Sequence, residues 1–97
     1  MVTLSVTPYR IGNVLRQAAG LLDDWHPEMN PLMRAIDQAA NYVPGNGTPD
    51  AMDTTLAAFA SLSDYLACPA ETWERLPGRT RDEVQHAMRE AAKEVTA

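Results

Sequence analysis

Four potential metal ligands fall within six residues, at Asp23, Asp24, His26 and Glu28. The pair His26 and Glu28 reads H-x-E, which in zinc-dependent deaminases accompanies a P-C-x-x-C pair that completes the metal site. Here the single cysteine, Cys68, precedes Pro69 and has no second cysteine beside it, so that site cannot be assembled. The four residues also match no other ligand spacing, and an exposed acidic turn is the expected reading. Cys68 with His26 or His86 would be a thiol and a base, yet no local feature would stabilise a thiolate or an oxyanion. The spacing therefore predicts a chain without catalytic residues, metal or cofactor, and not an enzyme. Cys68, at the end of an apolar stretch, is expected to act as a small core residue.

The other grouping with chemical potential is Arg75, Arg79 and Arg81, close to Trp73 and bracketing Gly78. Arginines at the entrance to a helix can hold a phosphate or carboxylate, and tryptophan with arginine is a frequent pair at binding hot spots. Opposing this, Asp82 and Glu83 put negative charge in the first turn of the helix that follows, and no glycine-rich phosphate loop is present.

The elements that would position these residues are helices. Thr80 and Glu83 form a T-x-x-E capping box behind the Leu76-Pro77-Gly78 breaker, and Val84, Ala87, Met88, Ala91 and Val95 recur at helical spacing. Three further starts place a capping residue before proline: Thr7-Pro8, Asn30-Pro31 and Thr48-Pro49. Ile11, Val14, Leu15, Ala18, Leu22 and Trp25 make the first apolar stripe. Leu32, Met33, Ile36, Ala39, Ala40 and Val43 make the second, and Met52, Leu56, Phe59, Ala60, Leu62 and Leu66 the third. The expected architecture is all-α, a compact bundle of about four helices at residues 8–25, 31–43, 49–67 and 81–95. A short extra turn is expected between Pro69 and Arg75, with Trp73 facing inward. Gly12 and Gly20 fall on one side of the first helix and are expected to admit a close neighbour. Val2 to Val6 alternates apolar and polar residues, as an extended N-terminal arm would.

At 97 residues the chain is expected to be one domain, and its composition is that of a folded protein. The net charge of −5 argues against nucleic acid as a direct partner. Between Asp23 and Glu74 the acids are Asp23, Asp24, Glu28, Asp37, Asp50, Asp53, Asp64, Glu71 and Glu74, against Arg34 alone. No apolar run approaches the ~20 residues of a membrane span, and no signal peptide is apparent. A lone cysteine is compatible with a reducing compartment, so a cytoplasmic protein is expected. The functional expectation is a protein–protein interaction module that binds a protein partner or forms a homodimer. The alternative is a small-molecule or anion sensor using Arg75, Arg79 and Arg81, with Trp73 beside them.

Three segments carry a family likeness: I-x-x-x-L-R-x-A-A-x-L-L from Ile11 to Leu22, R-A-I-D-Q-A-A from Arg34 to Ala40, and W-x-x-x-P-G-R-T-x-x-E-V-x-x-x-M-R-x-A-A from Trp73 to Ala92. Together they resemble an uncharacterised helical domain family of actinobacteria and their phages. The resemblance implies no activity. It marks Trp73, Gly78, Arg79 and Thr80 as a structural junction. The chain departs from the family at Glu28-Met29-Asn30-Pro31, so a shared ligand site there is not implied.

Overall fold

A computed structural model describes residues 7–22, 31–43, 45 and 47–96. They form five helices in a compact bundle: α1 (Pro8–Leu21), α2 (Pro31–Ala39), α3 (Pro49–Leu66), α4 (Ala70–Glu74) and α5 (Arg81–Thr96). The expected four main helices and the short extra turn are all present. The arm at Val2 to Val6 and the Asp23–Glu28 cluster lie outside the described residues.

The helix starts follow the local chemistry. Thr7 and Thr48 each accept through their hydroxyl from the amide three residues on, Arg10 and Ala51, both at 3.1 Å, ahead of a proline in the first turn. At α5 the capping box is complete. Glu83 donates its amide to the Thr80 hydroxyl at 3.2 Å, and the Glu83 carboxylate accepts from the Thr80 amide at 2.9 Å.

Two helix ends differ from expectation. Helix α1 stops at Leu21, with Leu22 already extended; continuing it would place Asp23 and Asp24 at its C-terminus, the unfavourable sign for the helix dipole. Helix α2 stops at Ala39 rather than residue 43 because Asn41 turns left-handed (φ 60°). The Tyr42 amide then donates to the Asp37 carbonyl and the Asn41 amide to that of Gln38, at 2.8 and 3.1 Å. This pair of reversed bonds is a Schellman ending, which asparagine tolerates. Helix α3 ends the same way at Ala67 (φ 62°), with Ala67 and Cys68 donating to Asp64 and Ser63.

The main seam is α1 against α5. The pair is antiparallel, with Gly12 facing Ala92 and Thr96 at one end and the Gln85 side-chain Nε2 donating to the Ala19 carbonyl at 2.8 Å at the other. A Cβ at Gly12 would come within 2.6 Å of the Thr96 methyl, so the expected close approach occurs here. At Gly20 nothing lies within 4 Å, and the expectation fails: Gly20 itself faces outward. Leu15, Leu32, Ile36, Leu62, Val84 and Met88 are the large side chains that fill the core, spaced by alanines from every helix except the outer turns.

The largest correction concerns α3. Its buried face is Ala51, Thr54, Thr55, Ala58 and Leu62, so the helix is rolled by roughly a quarter turn from the expected stripe. The small residues allow α1, α2 and α5 to close on it. The threonine hydroxyls are satisfied within the fold, Thr54 donating to the Asp50 carbonyl at 2.8 Å and Thr55 to the Asp37 carboxylate. Met52, Leu56 and Ala60 are left on the outside.

Two opposite substitutions are both expected to stabilise. Gly20→Ala removes chain entropy from an open helical site, and Ala67→Gly relieves a left-handed alanine. Each should raise stability by about 0.5–1 kcal/mol, a rise of several degrees in Tm by thermal circular dichroism.

Candidate functional site

The corner nominated by the arginines is built by a turn. Leu76-Pro77-Gly78-Arg79 closes with the Arg79 amide donating to the Leu76 carbonyl at 3.1 Å, proline second and Gly78 at φ 82° third, the signature of a type II turn. The turn folds Arg79 back over α4. Its guanidinium carbon sits 3.9 Å from the Trp73 ring centroid, and its Nε donates to the Trp73 carbonyl at 3.3 Å. A third contact reaches Glu83 at 3.4 Å. Arg79 is thus drawn inward, and Trp73 is partly buried beneath it, as expected for an inward-facing residue. Arg75 and Arg81 stay on the surface, and the charge of Arg75 acts on Glu74.

This arrangement is a clasp rather than an anion cradle. Arg79, the central member of the proposed trio, is engaged by an aromatic face, a carbonyl and a carboxylate. An anion would have to compete with Glu83 for it, in a helix start whose capping positions are already filled. The backbone bond to Thr80, more than the ion pair with Arg79, holds the Glu83 carboxyl below its ordinary range.

Directly before Arg75 lies a residue that the periodicity did not single out. Glu74, the last residue of α4, is fully buried. One of its carboxylate oxygens accepts from the Leu32 amide at 3.1 Å, across 42 positions of sequence, and so caps the first turn of α2 from another helix. The other oxygen has no hydrogen-bond partner among the described residues. Burial is the main cause that pushes this carboxyl up from its ordinary value, opposed by the Leu32 bond and by Arg75 and assisted by Glu71. A lone acid in a five-residue helix has no pattern by which sequence could mark it as buried.

The outer face of α3 is the second feature missed. Met52, Leu56, Phe59, Ser63 and Leu66 alternate by four and three, the spacing of a helix-packing seam. Leu56 is 60% exposed and Met52 43%, whereas Phe59, Ser63 and Leu66 are partly covered. Asp53 and Asp64 stand exposed along one flank, with Ala60 between them and the seam. Asp50, at the head of the helix, pairs with Arg10 of α1 at 3.0 Å.

Among the described residues no three histidine, cysteine, aspartate or glutamate side chains gather as a metal site would require, and no helix is long and apolar enough to cross a membrane. Cys68 is half-buried, and His86 is exposed, as expected from its place off the stripe. Tyr9 and Tyr65 are exposed. Open grooves of about 470 Å³ at Arg34, Tyr42 and Val43, and of about 230 Å³ between α3 and α5, where Ser61, Asp64, Tyr65 and Glu94 line the walls, lie on the surface. No protein-family model, curated protein or solved structure matches the chain.

Arg79→Ala should cost on the order of 1–2 kcal/mol through the lost stacking and packing, a fall in Tm of about 5–10 °C. Arg79→Lys should restore only part of it, because an ammonium cannot stack and donate sideways at once. Glu83 sets an acid-side dependence. A depressed carboxyl stabilises the fold above its unfolded value and loses that contribution as pH falls through the folded one. Melts between pH 6 and pH 3 should therefore show a shallower decline for Glu83→Gln than for the natural chain.

Proposed function

We propose that this chain is a non-catalytic protein-interaction module whose docking surface is the outer face of α3. The observation that carries the reading is the outward placement of Met52 and Leu56 on a seam that continues through Phe59. Apolar side chains at i, i+4 and i+7 are the pattern by which one helix receives another. Ala60, exposed at the edge of the seam, lets a second backbone come close on that side.

The flanking charge narrows the partner. Asp53 and Asp64 beside the seam, in a chain of net charge −5, favour an amphipathic helix with basic flanks. The same acids oppose pairing of two copies through this face, since like charges would be brought together. A protein partner is therefore favoured over a homodimer. The resemblance to small actinobacterial and phage domains accords with an accessory protein that modulates a host protein.

The test compares the natural chain with Leu56→Glu and Met52→Glu as immobilised baits in an actinobacterial lysate. Both positions are exposed, so both variants should keep their helical spectrum and Tm within a few degrees. The expected outcome is one protein captured near equal stoichiometry by the natural chain, lost from both variants and weakened as salt rises from 50 to 500 mM. Equal capture by all three baits would falsify the assignment of this face. A dimer in sedimentation that either variant dissociates would replace the partner with a second copy.

A further inference from the structure

We infer that Glu74 is a proton-operated latch between α4 and the start of α2, closed when its carboxyl is neutral and loosened when it ionises. The inference is independent of the docking face. It rests on geometry: a fully buried carboxyl with one oxygen held by the Leu32 amide and the other without a partner among the described residues.

A carboxylate in that position has one of its two charged oxygens out of water and unbonded, which strongly disfavours the charged form. A neutral carboxyl keeps the bond from Leu32 and sheds the charge. The groups facing Glu74 do not reverse this. From its own helix, Glu71 disfavours ionisation while Arg75 favours it. From α2 it meets the Leu32 amide and the positive end of a nine-residue helix, while Arg34 and Asp37 of α2 are absent from the influences on it. From α3, which packs on α4, Asp64 is exposed and likewise absent from them. Burial remains the dominant influence, and the folded carboxyl lies above its ordinary value.

The sign of the linkage follows. A carboxyl whose folded value is raised binds its proton more tightly when the latch is closed, so closure is most stable below the ordinary glutamate value of about 4.3. As pH rises from there to the folded value, opening becomes easier by about tenfold per pH unit, the slope for one released proton, and then levels off. The mobile piece is α4, five residues long and held at its other end by the Ala70 amide donating to the Ser63 hydroxyl at 3.0 Å. Opening releases the cap of α2, lets water reach Leu32 and loosens the platform on which Arg79 lies.

Nuclear magnetic resonance of the natural chain reads the latch directly. The Glu74 side-chain carboxyl carbon should titrate above every other glutamate. Exchange of the Leu32 amide, corrected for its intrinsic pH dependence, should accelerate about tenfold per pH unit over the interval that ends at the Glu74 midpoint. Glu74→Gln keeps an oxygen for the Leu32 amide and carries no charge, so its corrected Leu32 exchange should be flat across the same range. A Glu74 carbon that titrates with the other glutamates overturns the inference. So does pH-independent Leu32 exchange in the natural chain, or a pH dependence that persists in Glu74→Gln and so belongs to another group. Should that variant fail to fold, coincidence of the two midpoints in the natural chain still decides.

Discussion

The bundle depends on the antiparallel contact between its first and last helices. Gly12 leaves room for the Thr96 methyl, which a Cβ there would displace, and the Gln85 side-chain amide fastens the opposite end to the Ala19 carbonyl. Between them Leu15, Val84 and Met88 are wholly removed from water. Each such side chain contributes roughly 1.5–3 kcal/mol of burial, and Leu32, Ile36 and Leu62 lie as deep. With α1 and α5 fixed, α2 and α3 close over the remaining apolar faces, and the short α4 spans the gap from α3 to α5.

Around α4, two neighbouring residues hold the structure by opposite means. Trp73 lends its ring to Arg79, a cation stacked at the rim where its remaining donors find acceptors. Glu74 instead carries an acid into the interior to cap a helix whose start is 42 residues away in sequence. The first arrangement is stable because the charge stays near water. The second gives the Leu32 amide of α2 a partner but leaves an oxygen unmatched among the described residues, so its stability depends on the proton. A junction held by a proton responds to solution conditions as an apolar junction would not.

Helix α3 shows how side-chain size can outweigh apolarity. Its largest apolar residues define one face, yet the fold buries the neighbouring face of alanines, threonines and Leu62. Three packed helices leave room for small residues at van der Waals distance, and the two threonines are admitted because each hydroxyl has an acceptor, Asp50 behind it or Asp37 across the interface. Met52 and Leu56 are thereby turned outward beside an acidic flank, while Phe59 and Leu66 still pack against the core, and the outward pair carries the proposed docking surface.

Much of this was legible in the residues themselves. The threonine-proline starts, the T-x-x-E box and the Pro77-Gly78 turn act over three or four residues, and local hydrogen bonding alone settles them. The all-α class and the apolar stripes of α1 and α5 follow from helical periodicity. Tertiary structure decided the rest, since those outcomes turn on contacts between residues far apart in sequence. The left-handed end of α2 at Asn41 lies between these cases, local in its bonds but competing with an apolar pattern that runs on to Val43. The roll of α3, the burial of Glu74 and the engagement of Arg79 by Trp73 depend on which surfaces meet. Sequence periodicity ranks residues by apolarity, and it has no measure of how closely another backbone can come or whether a distant amide waits for an acid.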